Sequence, residues 1–208
     1  MRLVVFGAAG RTGRLIVDQA LGHGQEVTAF THSTPLVLEH PRLRVVTGDV
    51  LDFDAVCAAV EGQHAVASAL GTGSSGKGGV LSEGVGNIIH AVAEHEVRKL
   101  AAVSAAGTFA RGDSNLSLGF RAMIAVGLRS VYDDLERMEQ RIMASDLDWT
   151  IVRPYGLSDA ERTGRYRMTR DGSLLPKASR ISRGDVAAVV LAALDTAEYE
   201  RRVLTIAE

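Results

Sequence analysis

Three features of the sequence predict a doubly wound α/β fold, a mainly parallel sheet with helices on both faces. A short apolar run, Val4-Val5-Phe6, opens directly into Gly7-Ala8-Ala9-Gly10-Arg11-Thr12-Gly13, spaced G-x-x-G-x-x-G, and then into an apolar-periodic segment. Strand-like and helix-like stretches alternate from the first residues onward, as parallel strands joined by crossover helices require. Gly7, Thr31, Asp49, Gly71, Ser104 and Pro154 all fall at or just after predicted strand ends, the edge at which open α/β sheets bind ligands.

Each element has its own reason. Residues 2–6 are apolar without alternation, as in a strand buried on both faces. Residues 14–21 carry Leu15, Ile16, Val17 and Ala20 at helical spacing, and Gly22 and Gly24 stop them. Residues 26–30 read as a second strand, Thr31-His32-Ser33-Thr34-Pro35 as a turn, and 43–46 as a third strand ending at Gly48-Asp49. Asp52 is placed to cap a helix running to 60. Residues 64–70 form a fourth strand, and the glycine-rich run 71–79 is a loop. A long helix over 81–95 leads to a fifth strand over 98–103. Helical spacing returns over 133–144, before a sixth strand over 149–152 that ends at Arg153-Pro154. Beyond, 166–169 reads as a short strand, Ser182-Arg183-Gly184-Asp185 as a capping box opening a helix to 194, and 203–206 as a last strand.

Composition narrows the function classes. A formal net charge of −2, with no long block of one sign, gives no electrostatic argument for nucleic acid or an anionic membrane. Cys57 is the only cysteine, which excludes an intrachain disulfide and suits a reducing cytoplasm. The six histidines are scattered without metal-ligand spacing. No apolar run approaches the length of a membrane-spanning helix.

The glycines carry the chemistry. Gly7 permits a tight turn, Gly10 lets the backbone approach a pyrophosphate, and Gly13 lets helix and strand pack closely, so the fold is expected to be of the Rossmann type. The helix N-terminus behind them offers free N–H groups and a positive dipole end. A second run, Gly71-Thr72-Gly73-Ser74-Ser75-Gly76-Lys77, spells all but the last letter of a P-loop, but Gly78 stands where Ser or Thr would ligate Mg²⁺. The turn after the second strand has no carboxylate until Glu39. Sites preferring NAD place an acid there, so Thr31 and His32 favour NADP, with NAD(H) possible and Arg11 a source of positive charge. Ser104, at the end of the fifth strand, would face the nicotinamide end and could donate to a developing oxyanion. No tyrosine is followed four residues later by lysine, so the usual Tyr–Lys proton donor is absent. Asp133, Asp134, Glu136 and Glu139, interspersed with Arg137 and Arg141, read as a solvated, ion-paired helix face.

These motifs together resemble the atypical short-chain dehydrogenase/reductases with an NAD(P)H-binding domain, most of all the biliverdin-IXβ reductase/flavin reductase group. The resemblance rests on Gly7 to Gly13, Gly48-Asp49-Val50, Leu70-Gly71-Thr72, Ser82-Glu83-Gly84 before Asn87-Ile88, Val103-Ser104-Ala105, Arg153-Pro154 and Ile181-Ser182-Arg183-Gly184-Asp185, in that order. It implies one NAD(P)-binding domain over 1–208, with 1–154 as the core and 155–208 as a substrate-side segment. By the same resemblance Gly7, Ala9, Gly10, Arg11, Thr12 and Gly13 cradle the pyrophosphate. Thr31 and His32 lie near the adenosine 2′ position, and Asp49 and Val50 flank the adenine. Leu70, Gly71 and Thr72 run beside the adenosine and phosphates, and Ser104, Pro154, Tyr155 and Gly156 border the nicotinamide. Segments 105–128 and 155–180 cover the substrate. That group's pattern has arginine in place of His32, and histidines in place of Leu135 and Gly156. The cofactor therefore transfers more fully than the substrate.

The expectation is a cytoplasmic NAD(P)H-dependent oxidoreductase acting on a small conjugated acceptor such as a flavin, quinone or related carbonyl compound. Ser104 and Tyr155 are its candidate catalytic residues, and it works as a monomer or small homo-oligomer without nucleic acid or membrane. The alternatives are a non-catalytic NADP-binding sensor and a nucleotide-sugar epimerase or dehydratase, the latter disfavoured by a short C-terminal segment.

Overall fold

A computed structural model describes residues 1–72, 79–109, 119, 122 and 126–208. Its strands are β1 (Arg2–Phe6), β2 (Glu26–Thr31), β3 (Leu43–Thr47), β4 (Ala65–Ser68), β5 (Lys99–Val103), β6 (Asp148–Pro154), β7 (Leu157–Ser158), β8 (Arg167–Thr169), β9 (Ile181–Ser182) and β10 (Arg202–Ala207). The helices are α1 (Arg11–Gly22), α2 (Phe53–Val60), α3 (Val80–Glu94), α4 (Arg129–Met143) and α5 (Arg183–Asp195). Eight strands form one sheet in the order β3-β2-β1-β4-β5-β6-β10-β8. All its pairings are parallel except β10 with β8. This is the doubly wound Rossmann-type fold that the alternation predicts.

The side-chain period of two sorts each strand between two cores. Leu3 and Val5 face one side with Ala65, Ala67 and Ala101, covered by α1 and α5. Val4 and Phe6 face the other with Val66, Leu100 and Ile151, covered by α2, α3 and α4. β1 is fully buried from Leu3 to Phe6, which explains why its sequence shows no alternation. Ten of the thirteen residues of α5 are buried, since it lies between α1 and the sheet.

The chain runs outward from β1 through β2 to β3, then returns to lay β4 on the other side of β1. That reversal opens a crevice beyond the carboxyl ends of β1 and β4. The last third of the chain departs most from expectation. Residues 157–158 and 181–182, where the sequence reading places no strand, pair as a separate two-stranded parallel sheet. Two-residue strands have no period to read, so sequence pattern passes over them.

Candidate functional site

The loop between β1 and α1 is shaped by backbone contacts. Gly7 has φ +75°, and a Cβ there would strike the Ala69 carbonyl of the neighbouring strand end. A Cβ on Gly13 would strike the Gly7 carbonyl, so the third glycine permits the helix to start against the turn. Gly10 N–H donates to Gly7 O at 3.0 Å and closes the loop. Gly10 is also the N-cap of α1 and brings no capping side chain of its own, and among the described residues no side chain accepts from the first-turn N–H groups. The first-turn N–H groups, with the positive end of the helix dipole, therefore point to the crevice as an anion site.

That crevice is a cavity of about 650 Å³. It crosses the ends of β2, β1, β4 and β5, about three interstrand spacings or ~14 Å. At one end are Thr31, His32, Ser33 and Thr34. In the middle are Gly7, Ala9, Gly10, Arg11 and Thr12, facing Ala69, Leu70, Gly71 and Thr72. At the far end Val103 and Ser104 meet apolar walls from Leu81, Val131, Leu135 and Leu157, with Arg183 beside them.

Most sequence-predicted residues are thus brought together, and others sit behind them. Gly13 is buried in the helix–strand contact. Asp49 is outside the lining but beside it: His32 Nε2 lies 3.8 Å from Asp49 Oδ2. Val50 is buried against α3, with its carbonyl accepting from Asn87 Nδ2 at 3.0 Å. The Thr31 hydroxyl donates to Val46 O at 3.4 Å and so turns into the sheet. Pro154 ends β6 and Gly156 lies in the turn after it, and neither lines the cavity. Tyr155 packs with Ala106 and Leu174, and its hydroxyl donates to Leu175 O at 3.0 Å. Gly73 to Gly78, including Lys77, lie outside the described residues, as does most of 110–125.

The acidic face expected on α4 needs correction. Asp134 and Glu139 are fully buried. Asp134 crosses to the N-terminus of α3, where Oδ2 accepts from Gly79 N–H and Leu81 N–H, each at 3.0 Å. Its Oδ1 accepts from the Ser82 hydroxyl at 2.6 Å and the Ser82 N–H at 3.3 Å. Burial alone would push the Asp134 carboxyl up, but the bonds from Ser82, Leu81 and Gly79 outweigh it and hold its pKa below the ordinary value. Glu139 lies beneath Ser104. Its carboxylate takes the Ser104 hydroxyl at 2.5 Å and the Arg153 guanidinium, with Arg153 Nε at 3.0 Å and 3.1 Å from the two oxygens and Nη2 on Oε2.

In the sequence Arg183 shows only as part of a capping box, yet it reaches the crevice. It is nearly buried, and its Nη1 lies 2.5 Å from Asp159 Oδ1. Arg11 Nη1 holds the other oxygen of Asp159 at 3.1 Å. The capping itself holds: Ser182 Oγ accepts from Asp185 N–H at 3.0 Å. The Asp185 carboxylate is fully buried and accepts from the Ser182 hydroxyl at 2.7 Å and from Thr163 and Gly164 N–H. A sequence signal for Arg183 existed, because a cation in the first turn of a helix opposes the dipole and needs an anionic partner.

Comparison with known proteins points the same way. A family model described as NAD(P)H-binding matches residues 7–197. An oxidoreductase of Pestalotiopsis microspora is 27% identical over 215 aligned residues, covering 93% of this chain and 79% of that protein. Among solved structures, a short-chain dehydrogenase/reductase from Veillonella parvula in complex with NADP is similar with a TM-score of 0.82 at 18% identity, over 100% of this chain and 94% of that one. An anaerobillin reductase from Escherichia coli O157:H7 is similar with a TM-score of 0.78 at 22% identity, over 100% of this chain and 97% of its own. These two likenesses are of fold.

Proposed function

The chain belongs to the NAD(P)H-binding family, and on that premise we propose that it is an NAD(P)H-dependent oxidoreductase whose acceptor is a planar conjugated compound such as a flavin, a quinone or a related carbonyl compound. The observation that carries the reading is the uncapped N-terminus of α1 opening on a crevice that runs from the end of β2 to Ser104. The oxidoreductase relative, aligned over most of both chains, supports the reaction class.

In this reading the N–H groups of the first turn of α1 take the pyrophosphate, and Gly7 and Gly10 let the backbone approach it. Ser33, Thr34 and His32 face the adenosine 2′ position, with Arg11 supplying positive charge, so NADP(H) is favoured and NAD(H) is a second possibility. Ser104 borders the nicotinamide, which supplies the hydride when bound. Leu81, Val131, Leu135 and Leu157 form apolar walls that exclude water and orient a flat acceptor beside it. Tyr155 stands behind this end, in the turn that closes it.

The choice of acceptor class rests on what lines the cavity. Its described ionisable side chains are Arg11, His32 and Arg183, with no carboxylic acid, lysine or tyrosine among them at the Ser104 end. Flavins and quinones take their protons from solvent after hydride transfer, so positioning is the main task left to the protein. The same lining suits a second reading, a sensor that binds the dinucleotide without turning it over.

Titration of NADPH and NADH by fluorescence, followed by turnover with FMN and menadione, decides among these. Micromolar binding with turnover is the expected result. Binding of both redox forms without turnover over a broad acceptor panel favours the sensor, and no NADPH binding at submillimolar concentration sinks both.

A further inference from the structure

The hydroxyl of Ser104 has a fixed polarity. It lines the crevice but is nearly buried, and its oxygen lies 2.5 Å from Glu139 Oε1. That separation is in the range of a hydroxyl donating to a carboxylate. Glu139 is fully buried and held by Arg153, which also donates from Nη1 to Gly172 O at 3.4 Å and lies over the Phe109 ring at 5.5 Å. A carboxylate paired in this way is an acceptor only, so the proton between the two residues belongs to Ser104. Thr108, also fully buried, places Oγ1 3.3 Å from Ser104 Oγ. Since the Ser104 hydrogen is spent on Glu139, Thr108 is the donor in that contact. A serine oxygen has one hydrogen and two lone pairs. One lone pair is taken by Thr108, and one remains for the crevice.

We propose that Glu139 is a positioning residue that makes Ser104 a hydrogen-bond acceptor toward the ligand, so that this end of the site recognises an N–H or O–H donor in place of stabilising an oxyanion. The inference rests on the dinucleotide reading of the crevice and reverses the donor role that the sequence suggests for Ser104. The donor has two sources, the carboxamide NH2 of the nicotinamide or an N–H of the acceptor substrate. Breaking the Ser104–Glu139 bond to free the hydrogen would leave a buried carboxylate short of a donor, which opposes the alternative polarity.

The test compares wild type, Ser104→Ala and Glu139→Gln on ligands that differ only in the donor. In the cofactor arm, NADP⁺ is compared with its 3-acetylpyridine analogue, in which a methyl ketone replaces the carboxamide. In the substrate arm, FMN, whose ring carries an N–H at N3, is compared with 3-methyl-FMN, in which a methyl group replaces that hydrogen. Wild type is expected to favour the donor-bearing member of one pair about three- to tenfold, the range of one neutral hydrogen bond. Ser104→Ala brings that ratio to about one. So does Glu139→Gln, by releasing the hydroxyl to rotate, while affinity for 2′,5′-ADP at the adenosine end stays unchanged in both. If Glu139→Gln leaves Arg153 unpaired and the protein unfolded, the double variant E139Q/R153Q removes both charges and gives the same readout. A ratio of one in both arms for wild type overturns the inference. So does a tenfold or larger fall in kcat with menadione in Ser104→Ala, because it marks a serine that donates. Failure of wild type to bind 2′,5′-ADP and NADP⁺ at all is a different result, and it overturns the dinucleotide reading beneath.

Discussion

Two helices in this protein follow glycine-rich stretches of sequence, and they treat their N-termini in opposite ways. At α1 the N-cap is Gly10, and among the described residues no side chain accepts from the first-turn N–H groups, so the loop backbone encloses a space that ends on them. At α3 the N-cap is Gly79, and the carboxylate of Asp134 fills the corresponding position with four hydrogen bonds. The letters of the two stretches are similar, G-x-x-G-x-x-G against G-x-G-x-x-G-K. What separates an anion site from a structural joint is whether the protein supplies its own anion. A phosphate at α3 would have to displace a buried carboxylate from its donors, which is a second physical reason, beside the missing Ser or Thr, to set aside nucleotide hydrolysis at that loop.

The contrast is broken most severely at α1. Gly13→Val is expected to drive a side chain into the Gly7 carbonyl, to displace the loop, and to reduce NADPH affinity on the order of a hundredfold. Overpacking against backbone also costs about 1–3 kcal/mol of stability. Calorimetric titration beside a thermal melt separates the two effects, and near-wild-type affinity would show that the loop does not hold the cofactor. At α3 the expected effect falls on stability alone. Asp134→Ala leaves buried donors unpaired and should cost about 2 kcal/mol, some 4–8 °C in Tm at this chain length, with NADPH affinity within twofold of wild type. A large loss of affinity would mean that the two helix ends are coupled.

Acid should erase the α3 contribution. The native pKa of Asp134 is held below its value in the unfolded chain, about 3.9. Its stabilisation is therefore complete above that value and is lost as pH falls through the lower native pKa. Urea melts of wild type and Asp134→Asn between pH 7 and pH 3 should show a stability gap that is constant near neutrality and narrows below about pH 4. A gap that widens in acid would contradict the sign. The smallest effect belongs to Asp159, which holds Arg11 and Arg183 at the rim of the α1 site. Asp159→Ala should free both cations and tighten NADPH binding about two- to threefold at low ionic strength, fading with added salt, because an exposed pair is worth little. Unchanged affinity at low salt would show that the carboxylate does not compete with the phosphates.

The sequence made the fold legible because its signals were local. Apolar runs marked buried strands, helical spacing or a capping residue marked the helices, and strand ends carried Gly7, Gly71 and Ser104 to one crevice. The matched family bears out the resemblance to NAD(P)H-binding proteins at that level. The roles of Asp134 and Glu139 were not legible, since charges three to five residues apart on a helix look the same in water and in a core. A hint was available in their neighbours: Leu135, Met138 and Ile142 form the buried stripe of α4, and the two acids flank it. Their partners, Ser82, Ser104 and Arg153, lie on other elements, and only the three-dimensional structure brings them within reach. The role of Arg183 beyond the capping box is not legible either, because its partner Asp159 lies 24 residues away in a stretch with little pattern.

The packing of α5 against α1 has a consequence for how the protein is made. Gln19 Nε2 of α1 donates to Gly184 O of α5 at 2.9 Å, across 165 residues of chain. At ribosomal rates of about 5–20 residues per second, roughly ten to thirty seconds separate the synthesis of these two surfaces. During that interval Ile16, Val17 and Ala20 have no α5 to cover them. Until α5 is made, the nascent β1–α1 loop rests on a helix whose apolar face is uncovered, so a chaperone has that face to hold and the crevice behind the loop is unfinished.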